Sequence, residues 1–278
     1  MSKLIWGHTI VKNEERFLWF AVTSVIDYLD KLLLWDTGST DKTIEIIELL
    51  KKTYPNKIEF KEIGSVNPEQ FTKARQEMLE KTDSDWFVIL DGDEVWWQDS
   101  IKKVVKIINE ENLESIVSPY YNIVGDIYHY QDKHAANYTI DGVTDFINIR
   151  AVNRKIPGLH FEKPHGQQGL YDGSGILIQN RPKKYRKFVD APYIHFTNIV
   201  RSKTRKHDLK VPKRDIKLKH DLGKSFPRGF KYPEVFYLNK PDEVPDVWKR
   251  RSVNYIVRSL LLLPFKAVRR RLIKKVGY

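Results

Sequence analysis

The first hundred residues alternate between short apolar runs and longer stretches in which apolar side chains recur every three or four positions. The apolar runs lie at residues 4–11, 32–35, 57–63 and 85–91, and the periodic stretches lie at 14–29, 41–54 and 68–81. Strands that alternate with helices in this way form parallel βαβ units. We therefore expect an α/β fold in which a central, mostly parallel sheet is flanked by helices.

The regular alternation ends near residue 91. One more helix is predicted over 100–111, and several strands rich in Tyr, Ile and Val are predicted over 114–180. We divide the chain into an α/β domain over 1–200, a basic and Pro-rich extension over 201–248 that packs on it, and a basic, helical, amphipathic tail over 249–278.

The chain has no cysteine among its 278 residues. This excludes a disulfide framework, a cysteine nucleophile and a thiolate metal site, and it leaves Asp, Glu and His as the side chains that could hold a metal. The first residues contain no basic segment followed by a long apolar run, so we expect a cytosolic protein.

The charge is unevenly distributed along the chain. Residues 1–180 contain 20 basic and 28 acidic side chains, whereas residues 181–278 contain 28 basic and 8 acidic ones. The tail has ten basic residues and no acid around the run Leu260–Leu263. This run is far shorter than the roughly 20 apolar residues that cross a bilayer. The tail therefore predicts an anionic partner, either a membrane surface on which it lies or a nucleic acid.

A polar segment, Asp36-Thr37-Gly38-Ser39-Thr40-Asp41, follows the second predicted strand and leads into a helix. Ligands of open α/β sheets bind at the carboxyl ends of strands, and helix N-termini favour anions, so this junction suits a nucleotide. Ser39, Thr40 and Asp41 are also typical helix-capping residues, and a purely structural turn is the alternative.

An acidic segment, Asp91-Gly92-Asp93-Glu94, follows the apolar strand that ends at Leu90. Three neighbouring carboxylates repel one another, and a divalent cation such as Mn²⁺ or Mg²⁺ relieves that repulsion. A solvated acidic turn is the alternative, because Asp-Gly is common in turns. On the preceding helix, Arg75 has the planar guanidinium that can clamp a diphosphate.

Four segments together resemble a known family: Val11-Lys12-Asn13-Glu14-Glu15, Trp35 to Asp41, Phe71 to Arg75, and Asp85 to Glu94. In this order and spacing they are similar to the N-terminal half of family-2 glycosyltransferases with the GT-A fold. Among these, the bacterial branch that includes lipopolysaccharide-core sugar transferases is the most similar. The resemblance covers about residues 1–100 and implies the GT-A-like fold of nucleotide-diphospho-sugar transferases.

The resemblance also implies an inverting, metal-dependent transfer of a sugar from a nucleotide-diphosphate donor to a hydroxyl of a cell-surface glycan or lipid-linked acceptor. It implies that the end of the first strand (Val11, Asn13, Glu14) and Asp36 contact the base and ribose, and that Arg75 contacts the diphosphate. The segment with Asp91, Gly92 and Asp93 would contact the ribose and the metal. Thr37 departs from the family pattern of two consecutive acids.

The remaining site residues lie in the less regular second half. Relatives carry an adjacent His-Glu pair after an arginine-containing strand, and here Phe161 separates His160 from Glu162. We predict Glu162 as the catalytic base and Asp172 as the second candidate, against the alternative of solvated loop carboxylates. His195 is the predicted late metal ligand, against the alternative of a core histidine.

Two further groups of residues each have two possible roles. A basic group is predicted either to cover the donor phosphates or to form a solvated face; it consists of Arg201, Lys203 and Arg205. Trp96 and Trp97 stack on a sugar or pack in the core.

We therefore expect a glycosyltransferase at the inner face of the cell membrane, whose basic tail docks on anionic lipid. The alternative is a non-catalytic nucleic-acid-binding protein that uses the basic C-terminal third. That alternative leaves the acidic segment unexplained.

Overall fold

The computed structural model describes residues 2–136, 138–211, 214 and 220–272. Its main feature is an eleven-stranded sheet, with a principal strand order of β15-β7-β6-β10-β4-β1-β2-β3. The strands are β1 Ile5–Val11, β2 Lys31–Asp36, β3 Ile58–Glu62, β4 Trp86–Ile89, β5 Glu94–Trp96, β6 Ser115–Val124, β7 Asp126–Tyr130, β8 Tyr138–Ile140, β9 Val143–Asp145, β10 Ile147–Asn153, β11 His160–Glu162, β12 Gly169–Tyr171, β13 Arg186–Phe188, β14 Tyr193–His195 and β15 Lys224–Ser225. The first four strands pair in parallel, and β10 lies antiparallel between β4 and β6.

Helices connect and cover these strands. They are α1 Leu18–Thr23, α2 Thr43–Thr53, α3 Pro68–Lys81, α4 Gln98–Glu110, α5 Arg205–Asp208 and α6 Val253–Leu272. The predicted bounds of α3 are correct, because Asn67 and Gln70 form a reciprocal capping box and Pro68 occupies the first helical turn.

The helix predicted over 14–29 is shorter in the structure. Helix α1 ends at Thr23, and a 3₁₀ turn follows at Ile26–Tyr28. The hydroxyls of Thr23 and Ser24 donate to the carbonyls of Trp19 and Ala21 at 2.8 and 2.7 Å. Such side-chain bonds compete with the backbone donors that would extend the helix.

The sheet is buried between two helical layers. Alternate residues of β1, β2 and β4 face opposite sides, so Leu32 and Leu34 pack with α1, α2 and α4, whereas Leu33 and Trp35 pack with α3. The segment after β10 also covers the α3 side, where Leu170 packs with Phe87. Burial on both faces explains why these strands are almost continuously apolar.

The C-terminal part packs against this domain. Strand β15 pairs with β7, and Tyr232, Phe236 and Val244 join the core, with the Phe236 ring 5.0 Å from that of Phe20. Helix α6 continues through Pro264 without a break, and the predicted membrane contacts of Lys274 and Lys275 lie outside the described residues. Over the part of the chain that the structure describes, no helix has the length and apolar character needed to cross a membrane.

Candidate active site

A cleft of about 840 Å³ opens where the carboxyl ends of β1 and β4 lie beside β10. This edge is where open α/β sheets bind ligands. Because β4 lies between β1 and β10, Asp91 occupies the middle of the cleft. The predicted site residues that line it are Val11, Glu14, Arg75, Asp91, Gly92, Asp93 and His195.

Gly92 brings the acidic segment close to the end of β1. A Cβ atom at this position would lie 2.8 Å from Cγ1 of Val11 and 3.2 Å from Cγ of Glu14. A side chain would therefore push the acidic segment away from the β1 end, so glycine is required for their close approach.

Two arginines balance the carboxylate of Asp91. Arg75 Nη2 lies 3.3 Å from Oδ1, and Arg150 Nη2 lies 3.4 Å from Oδ2. Arg150 also donates to the buried carboxylate of Glu94, and its Nε donates to the Tyr193 hydroxyl at 2.9 Å. The repulsion expected among the acids is therefore relieved in part by guanidinium groups.

The surroundings of Asp91 and Glu94 shift the pKa values of their carboxyl groups in opposite directions. Burial raises the pKa of Asp91, but the guanidinium groups of Arg150 and Arg75 outweigh it and hold that pKa below the usual value. Burial raises the pKa of Glu94 well above the usual value, and the attraction of Arg150 only partly offsets this effect. Asp91 at the cleft surface is thus a stronger acid than usual, whereas the buried Glu94 is a weaker one.

A second arginine pair lies at the end of the cleft beside Glu14, which follows β1. Arg201 Nη1 donates to Asp93 Oδ2 at 2.7 Å and to Glu14 Oε1 at 2.9 Å. Arg214 Nη2 donates to the same Glu14 oxygen at 2.5 Å, and Arg214 Nη1 donates to Asp208 at 3.0 Å. Burial nevertheless raises the pKa of Glu14 to about 8. When Glu14 is protonated, the two guanidinium groups face the two carboxylates of Asp93 and Asp208.

His195 reaches the acidic segment through strand pairing. Strands β14 and β5 pair antiparallel, with His195 opposite Glu94. His195 Nε2 lies 3.5 Å from Asp93 and 3.8 Å from Glu94. Asp91, Glu94 and His195 each offer one ligand atom, and these atoms lie within 4.8 Å of one another. Two carboxylates and one imidazole nitrogen are a donor set that fits Mn²⁺ or Mg²⁺.

Asn13 follows β1 and Asp36 ends β2, and neither side chain lines the cleft. Asp36 Oδ1 accepts from the backbone N–H groups of Gly38 and Ser39, at 2.8 Å each. Asn13 has a left-handed backbone (φ 55°), accepts from Thr40 N at 2.7 Å and donates to the His207 carbonyl at 2.8 Å. Both side chains hold loops together, whereas Thr37 lines the cleft.

The two candidate bases also lie outside the cleft lining. Glu162 is exposed on β11, 3.6 Å from His160, while its neighbour Phe161 faces the cleft. Asp172 is buried in a turn, where its Oδ1 accepts from Ser174 N at 2.9 Å and its Oδ2 accepts from Arg181. The structure does not bring Glu162 and Asp172 together with Asp91.

The sequence model of Glycosyl transferase family 2 matches residues 8–167, which is more than half of the chain and includes the acidic segment and its neighbours. The chain belongs to glycosyl transferase family 2. This membership confirms the resemblance to family-2 glycosyltransferases, while the branch within the family stays a prediction. Together with the strand order, the membership confirms the predicted fold class.

One curated glycosyltransferase that is similar to this chain is distant from it in sequence. The SPbeta prophage-derived glycosyltransferase SunS of Bacillus subtilis (strain 168) is 24% identical over 265 residues, which cover 88% of this chain and 52% of SunS. The chain thus spans about half the length of this curated relative.

Two solved structures are also similar to the chain. S. aureus TarS 1–349 in complex with UDP-GlcNAc gives a TM-score of 0.47 at 14% identity, covering 69% of this chain and 58% of TarS. Glucosyl-3-phosphoglycerate synthase from Mycobacterium tuberculosis, in complex with Mn²⁺, UDP and glucosyl-3-phosphoglycerate, gives 0.43 at 15% identity, covering 69% and 72%.

Three charged residues were not predicted: Arg150 and Arg214, which line the cleft, and Glu94, which is buried beside Asp91. Glu94 was visible in the acidic segment but was not assigned a role, and Arg150 is a single arginine in an apolar strand, which is itself a signal. Arg214 lies in a basic stretch in which nothing distinguishes it from its neighbours.

The structure also shows the surroundings of the arginine-lysine group and the tryptophan pair, whose roles the sequence left undecided. Arg201 is buried in the cleft, whereas Lys203 is exposed. Trp96 is buried and stacks on Tyr193 in the core, whereas Trp97 is half-buried outside the cleft lining.

Proposed function

We propose that the chain transfers a sugar from a nucleoside-diphosphate donor to an acceptor hydroxyl, with inversion at the sugar carbon and with a divalent metal. This proposal rests on one observation. Arg75 and Arg150 contact Asp91, and the ligand atoms of Asp91, Glu94 and His195 lie close together at the same place. Cations and a metal-binding donor set at one place suit a leaving diphosphate.

Different residues of the cleft hold different parts of the donor. Arg75 and Arg150 present planar guanidinium groups to the diphosphate, and Arg201 adds a third positive charge at the nucleotide end. Val11, Glu14 and Thr37 line the part of the cleft that would receive the base and ribose. Gly92 keeps the acidic segment close to this part.

Asp91, Glu94 and His195 would hold the metal, with Asp93 beside them. Bound Mn²⁺ or Mg²⁺ would supply Lewis-acid stabilisation of the negative charge on the leaving diphosphate. The chain's own residues orient the donor and limit the repulsion between its phosphates and the acidic segment.

Glu162 is the proposed catalytic base. Its neighbour on β11, Phe161, lines the cleft, whereas the Glu162 carboxylate is exposed and lies outside the lining. Asp172 is the weaker candidate, because its two carboxylate oxygens are engaged by Arg181 and by backbone donors.

The acceptor is proposed to be a cell-surface glycan, such as a lipopolysaccharide or polysaccharide, or a lipid-linked precursor. A chain that modifies such an acceptor benefits from docking on an anionic membrane surface. Helix α6 supports this docking, because Val253, Val257, Leu260 and Leu261 occupy one helical face and are exposed. The opposite side is fixed to the protein, where the Tyr255 hydroxyl donates to the Asp221 carbonyl at 3.1 Å.

Membrane docking is tested by co-sedimentation of the full chain with phosphatidylcholine vesicles, with and without phosphatidylglycerol. We expect binding to the anionic vesicles only, and its loss in the double variant Leu260→Ser, Leu261→Ser. Leu238→Ser, another exposed leucine, is the matched control. Equal binding to both vesicles, or none to either, would contradict the docking.

Nucleic-acid binding draws on the same basic C-terminal third. However, Arg201 and Arg214 are buried against carboxylates in the cleft and cannot contribute to an external basic surface. The observations therefore favour the transferase.

The transferase proposal is tested by measuring nucleoside-diphosphate release from a panel of UDP- and GDP-sugars with Mn²⁺ and simple methyl glycosides. We expect release from one donor class, its loss in Asp91→Asn and its retention in Lys73→Ala. Lys73 is an exposed basic residue on the same helix as Arg75. No release from any donor under these conditions would overturn the proposal.

A further inference from the structure

Arg150 is the extra residue of a β-bulge in β10. Ile149 lies opposite Val117 of β6. The next pair is Ala151 with Ile116, so Arg150 is left between two consecutive pairs. Bulges of this kind change the direction of a side chain and are common beside active sites. The neighbours Ile149 and Arg150 both line the cleft, whereas successive residues of a regular strand face opposite sides. The bulge therefore turns the Arg150 side chain into the cleft.

The guanidinium group of Arg150 lies against two of the three proposed metal ligands. Its Nη2 atom lies 3.4 Å from Asp91 Oδ2 and also donates to Glu94 Oε1. The same Glu94 oxygen lies 3.8 Å from Nε2 of His195, the third proposed ligand. One nitrogen of Arg150 is therefore at the place where the proposed ligands of the metal meet.

The Arg150 side chain is held in this position from behind. It is buried, and its Nε donates to the hydroxyl of Tyr193 at 2.9 Å. Tyr193 is fully buried, and its ring stacks on that of Trp96 with 4.8 Å between the ring centroids. Because the guanidinium group is planar and rigid, holding Nε also keeps Nη2 near the carboxylates. A cation between Asp91 and Glu94 would therefore lie close to the positive charge of Arg150.

The protein itself balances the charges of the acidic segment. Even with all three carboxylates of this segment ionised, each one contacts at least one of the guanidinium groups of Arg75, Arg150 and Arg201. A divalent cation adds two further positive charges, and like charges repel more strongly in a partly buried site than in water. The diphosphate of a nucleotide brings negative charge that offsets this repulsion. The charge balance thus favours entry of the metal and the diphosphate together.

We infer that Arg150 competes with the metal for Asp91 and Glu94, so that the protein alone binds the metal weakly and binds it tightly together with the donor's diphosphate. Arg150 differs from the other two arginines in this respect. Arg75 contacts Asp91 through the other carboxylate oxygen, and Arg201 contacts Asp93. The inference rests on the proposed function, since it concerns the donor and the metal of the same cleft.

Electron paramagnetic resonance of free Mn²⁺ tests the inference on the full chain, with Mn²⁺ alone and with Mn²⁺ plus UDP or GDP. Samples of nucleotide without protein give the Mn²⁺ that the nucleotide binds by itself. The parent should bind Mn²⁺ at least about tenfold more tightly when a nucleotide is bound. Arg150→Gln should bind Mn²⁺ alone at least about tenfold more tightly than the parent, because the competing positive charge is lost.

Two further variants are controls. Arg150→Lys keeps a positive charge near the carboxylates, so its affinity for Mn²⁺ alone should stay within about threefold of that of the parent. Arg154→Gln removes a guanidinium group just beyond the end of β10, where Arg154 Nε donates to the Leu79 carbonyl at 3.3 Å. Because Arg154 lies outside the cleft lining, this change should leave Mn²⁺ binding unaltered.

Equal Mn²⁺ affinity of the parent with and without a nucleotide that calorimetry shows to bind would overturn the inference, whether or not the variants fold. Folded Arg150→Gln that binds Mn²⁺ alone no more tightly than the parent would also overturn it. Nucleotide binding by the parent leaves the proposed function standing in both cases. Absence of nucleotide binding would instead overturn the proposed function, while tighter binding of Mn²⁺ alone by Arg150→Gln would still support the competition.

Discussion

Arg201 Nη1 donates to Asp93 Oδ2 at 2.7 Å, and so joins the C-terminal segment to the acidic segment after β4 across 108 positions of sequence. The same nitrogen donates to Glu14 at 2.9 Å. A residue from outside the family-matched range 8–167 therefore completes the charge balance of the cleft.

Replacing Arg201 by Gln should destabilise the fold. The change leaves the buried carboxylate of Asp93 without this cation, and breaking a buried pair on one side typically costs about 3–5 kcal/mol. Urea unfolding measures the free energy of unfolding. Lys203→Gln, an exposed neighbour, should change it by less than about 0.5 kcal/mol, and equal effects of the two changes would contradict the buried role of Arg201.

Glu14 should make stability fall as pH rises. Because its pKa is raised from 4.5 to about 8 in the folded state, the folded chain keeps a proton that the unfolded chain releases between these values. The free energy of unfolding should therefore decrease across pH 5–8, by at most about 1.4 kcal/mol per pH unit from this group. Glu94, whose pKa is also raised, should act in the same direction.

Glu14→Gln mimics the protonated acid and isolates the contribution of Glu14. Thermal or urea unfolding of the variant should show a smaller pH slope over pH 5–8, and the variant should gain stability relative to the parent above pH 8. A slope identical to that of the parent would mean that Glu14 is ionised in the folded chain.

Glu162→Gln should lower kcat by about 10²- to 10⁴-fold, because it removes the proposed proton acceptor. Binding of the nucleoside diphosphate should not change, since Glu162 is exposed on β11 and does not line the cleft. Steady-state kinetics with calorimetric nucleotide binding separate the two effects. Full activity in Glu162→Gln would remove this residue from the mechanism.

His195→Ala should weaken Mn²⁺ binding at least about tenfold, because losing a direct ligand costs at least as much as losing a residue that only orients one. The free Mn²⁺ signal in electron paramagnetic resonance reports the affinity, measured with saturating nucleoside diphosphate. His134→Ala is the matched control, because that imidazole is largely exposed and distant from the acidic segment along the chain. An unchanged Mn²⁺ affinity in His195→Ala would exclude it as a ligand.

Much of the parallel part of the fold is predictable from sequence. Apolar runs that are buried on both faces mark β1, β2 and β4, and the signals at Asn67, Pro68 and Gln70 define the start of α3. The end of α1 was less predictable, because it depends on whether Thr23 and Ser24 turn their hydroxyls back to the helix.

The cleft was predictable where its residues follow strands of the parallel sheet, as Asp91 and Gly92 do. Its long-range partners were not, because they depend on tertiary pairing. The approach of His195 to the metal donors results from the register of β14 against β5, and Arg150 reaches Asp91 because β10 lies antiparallel beside β4. Local sequence patterns contain neither piece of information.

Calorimetric titration with UDP, GDP, CDP and ADP, with and without Mn²⁺, tests the central claim that this cleft binds a nucleoside diphosphate. We expect metal-dependent binding of one nucleotide, weakened at least about tenfold in Arg75→Ala and unchanged in Lys73→Ala. Binding of none of the four, together with tight and salt-sensitive binding of DNA or RNA, would contradict the account and favour the nucleic-acid alternative.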